Sequence, residues 1–302
     1  MQAVFLTLVW IVCCWFCLPV YAVGDWQMVN LPKSTIEGAI DFHIHSSPDV
    51  IPRRLDDFEV AKLAARARMK AVVLKNHFAS TASRAVLVNQ IVPEIQVFGG
   101  VVLNHSVGGI NPDAVDAMHR IGGKYGKVVW LPTVDAEHHL QVFHKSGRGI
   151  KVAENGKVLP ETAAVLKVVA KENLVLETDH ISSEEVMAVV AEANLLNIKN
   201  ILITHAMADV PGLSLENMQT AAAGAFLELA FVNDLMGENA ADDGHKNWHQ
   251  VSISKMAAAI KLIGAQHFVM STDLGRKPDP LPGVEIAPAA TIREVALQTL
   301  TI

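Results

Sequence analysis

Short and almost entirely apolar segments recur along this chain, and they restrict its fold more than any other feature. Eight of them fit buried strands: Ala39–Phe42, Ala71–Leu74, Val97–Leu103, Val128–Leu131, Leu174–Leu176, Ile201–Ile203, Ala225–Leu229 and Phe268–Met270. Continuous apolar runs of this length are typical of parallel strands that are covered on both faces. Most of the segments between them have helical periodicity, so the chain alternates strand and helix.

This alternation predicts an α/β fold, and specifically a (β/α)8 TIM barrel. Ser182 and Glu185 form a capping-box pattern that predicts the start of one helix. An open, doubly wound sheet is the alternative. However, the sequence has neither a GxGxxG turn nor a Walker loop, so nothing supports nucleotide binding. A β-hairpin insertion around Asn155-Gly156 is predicted after the fourth strand.

The first residues differ from the rest of the chain. Residues 1–23 carry no charged side chain, and Val20-Tyr21-Ala22 fits a signal-peptidase site. We therefore predict a signal peptide at residues 1–22, a single barrel domain at 23–302 and an exported protein. A retained membrane anchor, or a cytoplasmic protein with a mis-assigned start, is the alternative. Cys13, Cys14 and Cys17 all lie in this segment, so the mature chain would lack thiol chemistry.

The overall charge restricts the expected partners. The chain has 25 Lys and Arg against 31 Asp and Glu, a net charge of −6. No clustered cationic surface is evident, which argues against nucleic acid. We expect a small-molecule substrate, and membrane contact only if the N-terminal segment is retained. Homo-oligomerisation stays open.

A pair of histidines ends the first predicted strand, in Asp41-Phe42-His43-Ile44-His45. Side chains two residues apart on a strand point to the same face, so His43 and His45 would both face the barrel mouth. Barrel enzymes place their catalytic groups at this end of the strands. The pair is therefore a candidate metal-binding element.

The same position carries polar residues in later strands. His180 ends the fifth predicted strand, His205 the sixth and Asp273 the eighth. Imidazole and carboxylate donors of this kind suit Zn, Mn, Fe or Ni. One histidine after an apolar strand is usually structural, but five convergent positions indicate a metal site.

These positions resemble the pattern of the amidohydrolase superfamily, and the surrounding sequence is more closely similar to an uncharacterised amidohydrolase-related family, DUF6282. The matching stretches are Asp41–Asp49, Val73–His77, Phe98–Asn104 with Gly108-Gly109, Trp130–Thr133, Thr204-His205 and Ser271–Gly275. The resemblance implies that His43 and His45 bind the more buried metal ion. It also implies that His180 and His205 bind a second ion, if two are present, and that Asp273 both ligates and transfers protons.

The chain departs from the superfamily pattern at the fourth strand. This strand ends Leu131-Pro132-Thr133-Val134-Asp135, without the Lys or Glu that bridges two metals in relatives. Lys75 could replace it as a carboxylated bridge, or could act as an uncharged base or a clamp for a substrate carboxylate. One or two divalent ions, with Zn favoured, both stay open. Asp179 stands where the family pattern has Gly, and could orient a ligand.

The resemblance implies a metal-dependent hydrolase that directs activated water at an amide, lactone or ester bond, with Asp273 as proton acceptor and donor. A mononuclear decarboxylase or deaminase is one alternative, and a non-catalytic exported metal-binding or ligand-binding barrel is another. A serine triad is not indicated, since no GxSxG elbow is present.

Further strand-end and loop residues are candidate substrate contacts: His77, Asn104, Thr133, Glu228, Arg53 and Arg276. The two arginines follow the first and eighth strands, which are neighbours in a barrel, and would favour an anionic substrate. We interpret His138, His139 and His144 as surface residues. His245 and His249 are predicted to reach the site from a lid.

Overall fold

Ten strands are present in the computed structural model, which describes residues 37–276. They are β1 (Ile40–His45), β2 (Ala71–Lys75), β3 (Gln96–Val102), β4 (Gly126–Trp130), β5 (Ala153–Glu154), β6 (Lys157–Val158), β7 (Val175–Glu177), β8 (Ile201–Ile203), β9 (Phe226–Ala230) and β10 (Phe268–Ser271). All except β5 and β6 belong to one parallel sheet, in the order β1-β2-β3-β4-β7-β8-β9-β10. The predicted fifth to eighth strands are therefore β7 to β10.

The two ends of this sheet come together. Ile44 and Leu274 form a parallel bridge, and the His45 amide donates to the Leu274 carbonyl at 2.9 Å. The Asp273 amide also donates to the His43 carbonyl at 2.7 Å. Eight parallel strands in a nearly closed barrel confirm the predicted TIM-barrel fold. The closure also brings the ends of β1 and β10 next to each other.

Helices cover the outside of the barrel. They are α1 (Asp57–Arg66), α2 (Ala82–Ile91), α3 (Pro112–Arg120), α4 (Glu137–Val142), α5 (Pro160–Glu172), α6 (Ser183–Leu195), α7 (Leu215–Ala221) and α8 (Ile253–Ile263). The predicted capping box is present at the start of α6, where Ser182 accepts from the Glu185 amide and the Glu185 side chain accepts from the Ser182 amide. Asp56 and Glu59 cap α1 in the same way.

Strands β5 and β6 pair with each other, antiparallel, between α4 and α5. Asn155 and Gly156 connect them with φ angles of 51° and 73°, the left-handed conformation that Asn and Gly tolerate best. The Glu185 carboxylate accepts a hydrogen bond from the Val152 amide at 2.9 Å. This contact ties the segment before the hairpin to the start of α6.

A small apolar cluster supports the site from inside the sheet. It contains Val73, Val102, Val128 and Trp130, all almost fully buried. Gly100 allows β3 and β4 to approach, because a Cβ there would lie 2.0 Å from the Val128 carbonyl oxygen. Trp130 lies beneath the Lys75 ammonium, whose Nζ is 5.4 Å from the ring centroid.

Some predictions fall outside the described residues: the signal peptide at 1–22, the three cysteines and the ends of the 23–302 domain. Within residues 37–276, no helix combines the length and apolar character needed to cross a bilayer.

Candidate metal centre

Three side chains at the mouth end of β1 and β10 converge on one point, and we call them the first histidine group: His43, His45 and Asp273. The Nε2 atoms of His43 and His45 each lie 3.1 Å from Oδ1 of Asp273. Both imidazoles are buried, because alternate residues of β1 face the inside of the barrel. Two nitrogens and one carboxylate oxygen form a donor set that suits a divalent transition metal.

The other ring nitrogen of each histidine faces an acceptor. Nδ1 of His43 lies 3.2 Å from Oε1 of Glu228, and Nδ1 of His45 lies 3.1 Å from the Lys75 carbonyl oxygen and 3.2 Å from Arg53 Nη2. A neutral imidazole that donates from Nδ1 presents its Nε2 lone pair to the centre of the group. In the described part of the chain, the buried His43 Nε2 makes no hydrogen bond of good geometry, although Asp273 Oδ1 lies 3.1 Å away. The residues of the first histidine group therefore fit a bound cation.

The charges around this group are mainly negative. Burial alone would lower the pKa of His43, but the carboxylates of Asp273 and Glu228 raise it to about 10. Burial would raise the pKa of Asp273, yet His43 and His45 hold it well below its ordinary value. Glu228 is also ionised, because His43 lowers its pKa to about 2 against the effect of burial. These carboxylates therefore attract either a proton or a metal ion to this point.

The second histidine group lies at the ends of β7 and β8 and contains Asp179, His180 and His205. Nε2 of His180 lies 3.2 Å from Nε2 of His205, and all three residues are buried. The buried Nδ1 of His205 has no hydrogen-bond partner among the described residues. Burial lowers the pKa of His205 to about 4, so its imidazole is neutral and able to ligate.

Lys75 forms a buried ion pair with Asp179 of the second histidine group. Burial opposes the charge of Lys75, but Asp179 and Glu177 together raise its pKa above the ordinary value. A protonated amine does not react with carbon dioxide, so this ion pair disfavours the carboxylated bridge that the sequence allowed. Lys75 is also fully buried and is not among the residues that line the cavity, so its role as a base or a substrate clamp stays a prediction.

A small cavity, partly open to solvent, lies over both groups. Its lining comprises His43, His45, Arg53, His77, His180, His205, Met236, His245, Trp248, Asp273 and Arg276. The structure thus brings together the predicted histidines, both arginines and the predicted lid residue His245. His249 points elsewhere: its side chain is 92% exposed and pairs with Asp209.

Three predicted substrate contacts lie behind the cavity wall instead of lining it. Asn104 Nδ2 donates to the His77 carbonyl at 2.9 Å and to Thr133 Oγ1 at 2.6 Å. Thr133 Oγ1 also lies 3.0 Å from His77 Nδ1. Asn104 and Thr133 are thus corrected to supports of His77. Glu228 is corrected to a support of His43, because it is fully buried and its oxygens are engaged there.

Two arginines flank the mouth. Arg53 Nε donates to Asp49 at 2.6 Å, and Arg276 Nη1 lies 2.9 Å from Asp242 Oδ2. A backbone bridge joins residues 53 and 276, which holds the two guanidinium groups on the same side of the cavity. Because each guanidinium has five N–H donors, these ion pairs leave donors that can face a ligand.

Two wall residues were missed by the sequence reasoning. His139 was interpreted as a surface residue, but it is buried and its Nδ1 lies 2.8 Å from His180 Nδ1. Trp248 closes one side, with its ring centroid 5.7 Å from that of His180. For His139 a signal exists: Ala136 and Phe143, three residues before and four after it, would share its helix face.

Solved structures share this barrel. A probable 2-pyrone-4,6-dicarboxylic acid hydrolase from Acinetobacter baumannii, with citric acid bound, is 12% identical at a TM-score of 0.52, covering 86% of this chain and 92% of that chain. The probable dipeptidase PvdM from Pseudomonas aeruginosa is 11% identical at a TM-score of 0.57, covering 87% and 90%. A comparison with curated protein sequences found no match.

The amino-acid sequence itself matches a protein family, in addition to these similarities of structure. Residues 38–228 match a family of unknown function, DUF6282. The matched region includes all of the second histidine group, His43 and His45 of the first, and Lys75. The chain therefore belongs to the DUF6282 family.

Proposed function

We propose that this protein is a metal-dependent hydrolase that adds water to an amide, lactone or ester bond of a small anionic molecule. The convergence of His43 Nε2, His45 Nε2 and Asp273 Oδ1 carries the proposal. It combines a nitrogen-rich metal site with a carboxylate at the floor of a solvent-open cavity. The barrel shared with two probable hydrolytic enzymes supports the same reaction class.

In this proposal the first histidine group holds a divalent ion, with zinc favoured by its nitrogen and oxygen donors. When bound, such an ion lowers the pKa of water and polarises the oxygen of the scissile bond. Asp273 remains ionised near neutral pH, since His43 and His45 keep its pKa low despite its burial. Its carboxylate accepts a proton from the attacking water and returns it to the leaving group.

The arginines support an anionic substrate. Arg53 and Arg276 both line the cavity, and each is paired with a carboxylate outside the first histidine group, Arg53 with Asp49 and Arg276 with Asp242. Arg53 Nη2 also lies 3.2 Å from His45 Nδ1, which places this guanidinium beside the first group. A substrate carboxylate could accept hydrogen bonds from both guanidinium groups while its scissile bond lies over Asp273. A solved neighbour of this fold holds citric acid, a molecule of this charge class.

A one-ion decarboxylase or deaminase is the second candidate. The Lys75–Asp179 ion pair favours it, because Asp179 is then occupied by an ammonium and the second histidine group has one ligand fewer. The first histidine group alone would hold the ion in that case. A decarboxylase releases carbon dioxide without net addition of water. A deaminase also consumes one water, and the release of free ammonia distinguishes it from a hydrolase of esters, lactones or dipeptides.

Export is also part of the proposal. The uncharged, apolar residues 1–22 support a signal peptide, so the hydrolase would work outside the cytoplasm. Detection of a processed chain in the periplasm or the medium tests this point separately from activity.

The test is an assay of the zinc-reconstituted protein on lactones, esters and dipeptides that carry an additional carboxylate, monitored by proton release. We expect metal-dependent turnover of at least one class, and its loss in a His43→Ala/His45→Ala double variant. His249→Ala is the matched control, because this histidine is exposed and outside the cavity. Turnover that persists without metal or in the double variant would contradict the proposal, as would release of carbon dioxide or ammonia alone.

A further inference from the structure

A second layer of side chains extends from the second histidine group toward solvent. His139, on α4, lies beside His180, with nearly parallel rings whose centroids are 4.8 Å apart at an interplanar angle of 15°. Its Nδ1 lies 2.8 Å from His180 Nδ1, and its Nε2 lies 3.1 Å from Lys145 Nζ. Lys145 itself is exposed. A continuous set of contacts thus joins a surface ammonium to His180 and, through it, to His205.

These contacts restrict where the imidazole protons can lie. An ammonium only donates, so a charged Lys145 requires Nε2 of His139 to accept. The proton of a neutral His139 then lies on Nδ1 and points at Nδ1 of His180. His180 must accept there, which places its own proton on Nε2. That is the nitrogen that faces His205 in the second histidine group.

A metal ion requires the opposite arrangement. To ligate beside His205, Nε2 of His180 must lose its proton, so Nδ1 carries the proton and donates to Nδ1 of His139. His139 then carries its proton on Nε2, where it meets the Lys145 ammonium. Two donors cannot share one hydrogen bond, so Lys145 must move away or become neutral.

We propose that His139 is a positioning residue that sets the tautomer of His180, and that Lys145 acts through it to weaken cation binding at the second histidine group. The inference rests on the proposed metal-dependent function. It identifies Lys145 as the residue that keeps the second ion weak or exchangeable, although Lys145 contacts neither the ion nor the substrate. The lysine therefore favours a one-ion state of the protein.

The first test is a zinc titration of the metal-free full chain. Lys145→Met is expected to tighten the second zinc ion by about tenfold, the scale of effect typical of groups behind a metal ligand, with the first ion unchanged. Lys167→Met removes an exposed lysine of α5 and serves as the charge-matched control. Equal second-ion affinity in Lys145→Met and the parent protein would overturn the inference. No zinc in any variant would instead overturn the proposed function.

Variants of His139 test the same coupling from the other side. His139→Leu removes the acceptor and should weaken the second ion by about 10- to 100-fold. His139→Asn keeps a side-chain oxygen near the position of Nδ1, so it should restore most of the affinity, and Lys145→Met should then have no further effect. An additive gain from Lys145→Met in the His139→Asn background would contradict the proposed route.

Histidine nitrogen chemical shifts give a readout that does not depend on affinity. In the metal-free protein we expect the His139 proton on Nδ1, and after zinc addition on Nε2. The same His139 tautomer in both states would overturn the inference even if the affinities change.

Discussion

The two histidine groups contain similar donors but differ in what lies behind them. Behind the first group are two acceptors, the Glu228 carboxylate and the Lys75 carbonyl oxygen, together with one cation, the Arg53 guanidinium, whose Nη2 lies 3.2 Å from His45 Nδ1. Behind the second are ammonium groups, Lys75 on Asp179 and Lys145 acting through His139. The identity of the ligands is therefore not enough to predict affinity, because the polarity of the supporting hydrogen bonds also matters. We expect a tight ion in the first group and a weak one in the second.

The largest expected effect comes from Asp273→Asn. This change removes the proton acceptor but keeps an oxygen donor, so turnover should fall by about 10²- to 10⁴-fold while zinc remains bound. Steady-state kinetics and zinc content, measured on the same preparation, check this. A variant with both activity and zinc intact would contradict the role of Asp273.

Lys75→Met tests the ion pair beneath the second group. Removing one partner leaves Asp179 buried without a counter-charge, which should lower the free energy of unfolding of the metal-free protein by about 3–5 kcal/mol. Urea denaturation measures this, with Lys62→Met, an exposed residue of α1, as control. An unchanged unfolding midpoint would argue against the ion pair. If Lys75→Met binds one zinc ion where the parent protein binds two, Lys75 is a ligand of the second ion.

Glu228→Gln tests the support of the first group. The amide still accepts from His43 Nδ1 but carries no charge, so affinity for the first ion should fall by about 10- to 100-fold. Zinc competition with a chelator gives the affinity, and Glu161→Gln at the exposed start of α5 is the control. If Glu228→Gln lowers only the affinity for the second ion, Glu228 does not support the first histidine group, and the proposed difference between the two groups is wrong.

The smallest effect concerns acid stability. Burial and the charge of Lys145 lower the pKa of His139 to about 3, against about 6.5 in the unfolded chain. The unfolded state therefore binds more protons between these two values, so this contribution is fully present above about pH 6.5 and is lost progressively as the pH falls to about 3. His139→Asn should reduce the slope of stability against pH by up to about 1.4 kcal/mol per pH unit between these limits. If the free energy of unfolding depends on pH in the same way in His139→Asn and in the parent protein, His139 is not a buried, neutral imidazole.

Much of the fold could be predicted from sequence because strands such as β2 and β8 are buried on both faces and read as continuous apolar runs. The positions of His43, His45 and Asp273 followed from the rule that barrel strands present their carboxyl ends at one mouth. Their supports did not, because His43 and Glu228 are 185 residues apart and Lys75 and Asp179 are 104 apart. Only the closed barrel brings these pairs into contact.

His139 shows a different reason for failure. It lies on a six-residue helix, and the two apolar residues that indicate its buried face, Ala136 and Phe143, lie just outside that helix. Its burial depends on how α4 packs beside His180 and Trp248, which the sequence of α4 alone does not specify.

The most direct test of the unequal groups is a calorimetric zinc titration of the metal-free full chain beside His43→Ala/His45→Ala and His205→Ala. We expect two classes of site that differ in affinity by about tenfold or more, as supporting hydrogen bonds typically produce. The tight class should vanish in the double variant and the weak class in His205→Ala. Equal affinities, or a tight class that survives in the double variant, would contradict this expectation.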